Sequence, residues 1–236
     1  MFAHRGGSAL APENTIAAFD NGIRLGADGL ELDVHLSRDA VVVVHHDPTL
    51  DRTTSLTGPI STRTARELGA VGVPTLSDVL SGFRDARVIV EMKVNAVELA
   101  RGTIRAVCDA GAEDRVCLGS FGLRVLRAAR ALEPAVATSA AREEVRWALY
   151  RSWCGLGPSR RVAYGGYQVP EWSGRTQVVS RRFVDLAHRA GLQVQVWTVD
   201  READARRLLA LGVDALITDR PDVVVPIVRS WRQERA

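Results

Sequence analysis

The chain has 236 residues, 46% of them hydrophobic and 25% charged, which is ordinary globular composition with enough apolar side chains for a large core. The net charge is +3, Lys93 is the only lysine among 31 basic residues, and the arginines are interleaved with carboxylates, as in EEVRWALYRSW. A charge-balanced surface of this kind has neither a basic stripe nor a nucleic-acid-binding motif, so it gives no footing to a nucleic-acid role.

The N-terminus carries no apolar run of the signal-peptide type. The first strand-like run is FAHR, followed by PENTIAAFDNGIRLGA, in which Ile16, Phe19 and Ile23 form an apolar stripe and Pro12 is suited to the first helical turn. GLELDV comes next, with VVVVHH extending it as a hairpin, then RVIVEMK and the helical AVELARGTIRAVCDAG. VCLGSF, GLRVLRAARAL, AVATSA, EEVRWALYRSW and VAYGGYQV continue the alternation. RRFVDLAHRAG, VQVWTVD, EADARRLLALG, DALITD and VVVPIVRSWRQ complete it.

Alternating strands and helices imply parallel strands joined by crossovers. LGADGLELD near the start resembles LGVDALITD near the end, each a helix end, a Gly suited to the left-handed C′ position, and a strand. The pattern predicts a (βα)8 TIM barrel spanning 1–236 as one domain, since no linker or low-complexity tract divides the chain. A doubly wound sheet is the competing architecture, but AHRGGSA lacks the spacing of G-x-G-x-x-G. Cys108, Cys117 and Cys154 are odd in number, without metal or redox spacing, and fit reduced thiols of a cytoplasmic protein. No stretch reaches the ~20 apolar residues of a membrane span, so stable membrane insertion is not expected.

In such a barrel the chemistry sits at the C-terminal ends of the strands, where the polar residues HR, ELD, HHD, EMK, WTVD and TD fall. Strand alternation puts Glu31 and Asp33 on one face, and Glu91 and Lys93 on one face of another strand. Three converging carboxylates repel unless a cation joins them, and oxygen-only ligation suits a hard divalent ion, Mg2+ or Ca2+. A buried ion pair is the simpler alternative for these acids. His4 and His46, at the tops of neighbouring units, are suited to proton exchange near neutral pH. With a metal, Arg5 and Lys93 they form a set fit for cleaving a phosphodiester.

AHRGGSALAPENTIAAF, GLELDVHLSRD, HHDPTLDRTT and VEMK, in this order, resemble the glycerophosphodiester phosphodiesterase family, and VWTVD and LITDRP extend the likeness to the last two strands. The resemblance implies a TIM barrel with a small insertion after the second strand, at about 47–76. It implies one divalent cation (Mg2+ or Ca2+) on Glu31, Asp33 and Glu91, His4 and His46 as acid and base, and Arg5 and Lys93 on the phosphate. Trp197 then reads either as a wall for glycerol or alcohol or as an ordinary buried barrel Trp. The implied reaction is hydrolysis of a small-molecule glycerophosphodiester to glycerol 3-phosphate and an alcohol. The chain departs from the family in three places. Only Met-Phe-Ala precedes His4, His45 stands where an apolar residue is usual, and Asp200 stands where Asn is common. Alternation points His45 away from the face that carries His46.

Two other functions compete with this one. A lysophospholipase D-like enzyme would want an apolar rim at the barrel mouth, and the insertion TSLTGPISTRTARELGAVGVP is too polar to supply it. A barrel that only binds a phosphorylated ligand would be expected to lack one of His4, His46 or the acids, and all are present.

Overall fold

The structure, a computed structural model, describes residues 1–158 and 162–235. Eight parallel strands form its centre: β1 (Phe2–His4), β2 (Gly29–Leu36), β4 (Arg87–Met92), β5 (Val116–Gly119), β6 (Ala137–Thr138), β7 (Gly166–Pro170), β10 (Gln193–Trp197) and β11 (Ala215–Thr218). They run in the order β6-β5-β4-β2-β1-β11-β10-β7, so the first and last barrel strands lie side by side. Backbone hydrogen bonds from Ala140 to Gly166 and from Gly165 to Thr138, each 2.9 Å, bring β6 and β7 together and close the ring. This is the TIM barrel, with β3 (Val42–Val44) added antiparallel to β2 as the predicted hairpin.

The helices lie outside the strands: α1 (Ile16–Arg24), α2 (Ala65–Gly69), α3 (Leu76–Gly82), α4 (Val97–Asp109), α5 (Leu123–Leu132), α6 (Arg142–Trp153), α7 (Arg181–Arg189), α8 (Glu202–Leu211) and α9 (Pro221–Gln233). Alternation along β2 explains how a strand carrying two acids can be buried throughout. Leu30, Leu32 and Val34 pack in the sheet–helix core, leaving Glu31, Asp33 and His35 on the other face. Pro12 does not start α1, as its position in the sequence suggested. The helix begins four residues after it, at Ile16, capped by the Thr15 hydroxyl, which accepts a hydrogen bond from the Ala18 N–H.

Between β3 and α3 the chain builds a small cluster of its own, Leu50, Ile60, Leu68 and Val73 packed on Val43. Two short helices here carry capping boxes, Thr64 with Glu67 and Thr75 with Asp78. A second hairpin, β8 (Trp172–Ser173) and β9 (Thr176–Gln177), follows β7. Among the described residues no helix is long and apolar enough to cross a membrane.

Candidate active site

Register assembles the site. Pairing of β1 with β2 sets His4 beside Glu31, and pairing of β2 with β4 sets Asp33 beside Glu91. Each of Glu31, Asp33 and Glu91 contributes a carboxylate oxygen, and these lie within 4.8 Å of one another. The three acids therefore converge as their spacing predicted. Burial, reinforced by the Asp33 charge, pushes the Glu31 carboxyl up to about 8. Glu91 is also raised by burial, with Lys93 working against the shift.

The cations sit among these acids. Lys93 Nζ is 3.3 Å from both Asp33 Oδ1 and Glu91 Oε1. Burial opposes its charge, but Asp33 and Glu91 outweigh that and raise its pKa. Arg5 Nε lies 3.2 Å from Asp33 Oδ2, and Arg5 Nη1 donates to Glu13 Oε1 at 3.2 Å. The turn after β1 makes this possible: Arg5, Gly6 and Gly7 follow one another with φ of 52°, 88° and 95°. A side chain at Gly6 would come within 2.7 Å of the Ala18 backbone, so only glycine lets the turn lie against α1.

Each of the two histidines is held by a carboxylate. His4 Nδ1 is 2.6 Å from Asp219 Oδ1, and its Nε2 is 3.7 Å from Glu31 Oε2. Burial opposes a charge on His4, yet the Asp219 hydrogen bond and Glu31 raise its pKa above the ordinary value. His46 Nδ1 is 2.6 Å from Asp47 Oδ1, and Arg52 joins Asp47 to Glu13 through three further hydrogen bonds of 2.6–2.8 Å. Because each Nδ1–H donates to a carboxylate, Nε2 is the nitrogen left for chemistry. His45 is buried and its Nε2 faces the Thr49 carbonyl at 3.0 Å, away from the acids.

His4, Arg5, Glu31, His46, Glu91, Lys93 and Trp197 line one cavity of about 800 Å³, and Asp33 stands beneath it, 1% exposed. Residues that the sequence reading did not single out complete the arrangement. Asp219 grips His4, and Asn14 Nδ2 donates to Asp33 Oδ2 at 2.9 Å. Across the cavity stand Ser120, Phe121, Gln168 and the face of α6. Asp219 was visible only as the TD that ends the last strand, and Asn14 lay unmarked in APENT. No periodicity isolates either one.

The donor set fits a hard divalent cation. All three potential ligands are carboxylates, and the buried Asp33 Oδ1 accepts no well-formed hydrogen bond, having the Lys93 ammonium beside it at 3.3 Å. A parallel eight-stranded barrel with acids, paired histidines and cations at the C-terminal ends of its strands is the architecture of a TIM-barrel hydrolase. The chain's relatives define it further. Residues 4–223 match the model of the glycerophosphoryl diester phosphodiesterase family. A glycerophosphodiester phosphodiesterase of Caldanaerobacter subterraneus is 33% identical, the match covering 97% of each chain.

Two solved structures superpose closely. One is the glycerophosphodiester phosphodiesterase of Agrobacterium tumefaciens, with a TM-score of 0.79, 27% identity and coverage of 95% of this chain and 98% of that one. The other is an Oleispira antarctica phosphodiesterase in complex with the product sn-glycerol-3-phosphate, with a TM-score of 0.79, 25% identity and coverage of 97% and 96%. The chain belongs to the glycerophosphoryl diester phosphodiesterase family and is an enzyme of that kind.

Proposed function

We propose that the protein hydrolyses small-molecule glycerophosphodiesters to glycerol 3-phosphate and an alcohol, using His4 and His46 as its proton carriers. The observation that carries this reading is the pair of imidazoles, each tied at Nδ1 to a carboxylate 2.6 Å away and each bordering the cavity that holds the acidic cluster. Glu31, Asp33 and Glu91 would hold one Mg2+ or Ca2+, which when bound supplies Lewis-acid stabilisation of negative charge on the phosphoryl group. One imidazole takes the proton from the attacking oxygen as the new P–O bond forms. The other gives a proton to the alcohol oxygen as the old P–O bond breaks, so the elements of water are added across that bond and both products leave with balanced protons.

Arg5 and Lys93 offset the charge of the acids and present positive charge to the phosphate oxygens, while Trp197 borders the space for an organic substituent. Asp219 and Asp47 fix the tautomers, so that Nε2 of each ring is the atom that exchanges protons. The test is release of glycerol 3-phosphate from glycerophosphoglycerol and glycerophosphocholine, before and after chelation and after restoring Mg2+ or Ca2+. Full turnover in a metal-stripped, chelator-treated sample would sink the metal assignment. Intact turnover in both His4→Ala and His46→Ala would sink the proton carriers.

A further inference from the structure

The cavity is far larger than glycerol 3-phosphate. Its volume, about 800 Å³, lies toward the upper end of pockets that enclose whole drug-sized ligands. The charged cluster occupies the end formed by β1, β2 and β4. The far wall is one face of α6, where Arg142, Val145, Arg146, Leu149, Tyr150 and Trp153 recur at helical spacing. In most barrel helices an apolar stripe is spent on packing against the strands. Here Tyr150 and Trp153 border the cavity yet stay 48% and 54% exposed, their rings 5.3 Å apart.

Charge at this end has one sign. Arg142 and Arg146 line it, and among the described residues the only carboxylates lining the cavity are Glu31 and Glu91 at the opposite end and neither guanidinium has an ion-pair partner. Arg142 lies over the Phe121 ring at 4.8 Å, and Phe121 in turn meets the Trp197 ring edge-on at 6.1 Å. A quaternary ammonium entering here would compete with Arg142 for the Phe121 face and meet like charge from both arginines.

We infer that the α6 wall is a subsite for the non-glycerol substituent of the diester, and that it selects an alcohol with an extended apolar body and no positive charge over choline or ethanolamine. The inference rests on the phosphodiesterase reading above and names the substrate class of that same site. An alkyl chain laid against Leu149, Tyr150 and Trp153 leaves water, and each fully buried methylene favours binding about fourfold.

The experiment compares kcat/KM for glycerophospho-n-octanol, kept below its micellar concentration, with that for glycerophosphocholine. The expected ratio is at least about ten in favour of octyl. In the double variant Tyr150→Ser/Trp153→Ser the ratio falls at least about fivefold. In Trp147→Ser, altered at an exposed ring of the same helix outside the cavity, the ratio holds. Arg146→Ser raises the rate on glycerophosphocholine relative to octyl.

Thermal melts verify that the variants fold, which the exposure of the two rings favours. A ratio of one or less in the wild type overturns the inference, as does an octyl preference that survives loss of both rings. Hydrolysis of neither substrate, nor of glycerophosphoglycerol, overturns the phosphodiesterase reading itself and is thereby told apart from failure of the subsite.

Discussion

The two ends of the cavity are built by opposite rules. At the β1–β2–β4 end nearly every polar atom is engaged: Asp33 alone meets Arg5, Asn14 and Lys93, and each histidine has its own carboxylate. At the α6 end, Tyr150 and Trp153 face the cavity half-exposed beside the buried Leu149, and two arginines have no carboxylate partner among the described residues. Buried charges demand such interlocking, because removing one partner leaves another uncompensated. Exposed aromatic surface makes no such demand. On the reading proposed above, the chemistry is confined to the end where substitution is costly, and selectivity to the end where it is cheap.

The largest expected effects come from the charged end. Asp33→Asn or Glu31→Gln keeps the side-chain shape but removes a negative ligand, so divalent-metal affinity measured by titration calorimetry should fall steeply. The kcat should drop by at least about 10³, the equivalent of several kcal/mol of lost charge stabilisation. Unchanged metal binding in both variants would mean that the three acids serve only as partners for Arg5 and Lys93. Next in size are the proposed proton carriers: His4→Ala and His46→Ala should each cost about 10² to 10⁴ in kcat. Asp219→Asn should cost less than His4→Ala and should move the pH profile, since it releases the imidazole without removing it.

The same contrast explains what could be read from sequence. Glu31 and Asp33 stand out because ionised carboxylates in a buried strand are physically anomalous. Alternation then separates His46 from His45, and the structure bears out that separation. All eight barrel strands were visible as β-rich runs, although β6 shrinks to Ala137–Thr138 and α1 starts beyond Pro12. The α6 wall left no such mark. Arg, Val, Leu, Tyr and Trp at helical spacing look the same whether the stripe covers a core or lines a cavity.

The segment after β3 is polar, whereas the apolar and aromatic side chains along the cavity come from α6. The hairpin of β8 and β9 has strands of two residues, too short for alternation to register. Asp219 and Asn14 act through contacts 215 and 19 residues away in the chain, which no local pattern encodes.

A smaller effect is expected at the junction of charge and shape. Lys93, the only lysine, reaches Asp33 and Glu91 equally at 3.3 Å. A compact ammonium can sit between two carboxylates where a planar guanidinium would have to push one aside. Lys93→Arg should therefore melt near the wild-type temperature yet lose at least about tenfold in kcat/KM, or ~1.4 kcal/mol. Wild-type kinetics in this variant would show that charge alone matters at this position.

The smallest catalytic effect should come from His45, which belongs to the charged end by sequence but not by chemistry. It is 3% exposed, and burial, with His35 next in weight, lowers its pKa to about 4 against negative charge from Asp47, Glu13 and Asp33. A base whose folded pKa lies below its unfolded value of about 6.5 binds protons more readily when unfolded. Its contribution to stability is complete above pH 6.5 and is lost as the pH falls from there toward 4. His45→Gln keeps an N–H donor for the Thr49 carbonyl and cannot titrate. Its kcat/KM should stay within about twofold of wild type, since the side chain touches neither the acids nor the cavity. Its melting temperature should fall less than that of the wild type between pH 6.5 and 4, by several degrees if the shift is worth ~1–3 kcal/mol. Superimposable melting profiles would remove His45 from the acid lability of the fold, and a dead His45→Gln enzyme would reverse the assignment of His46 as the proton carrier.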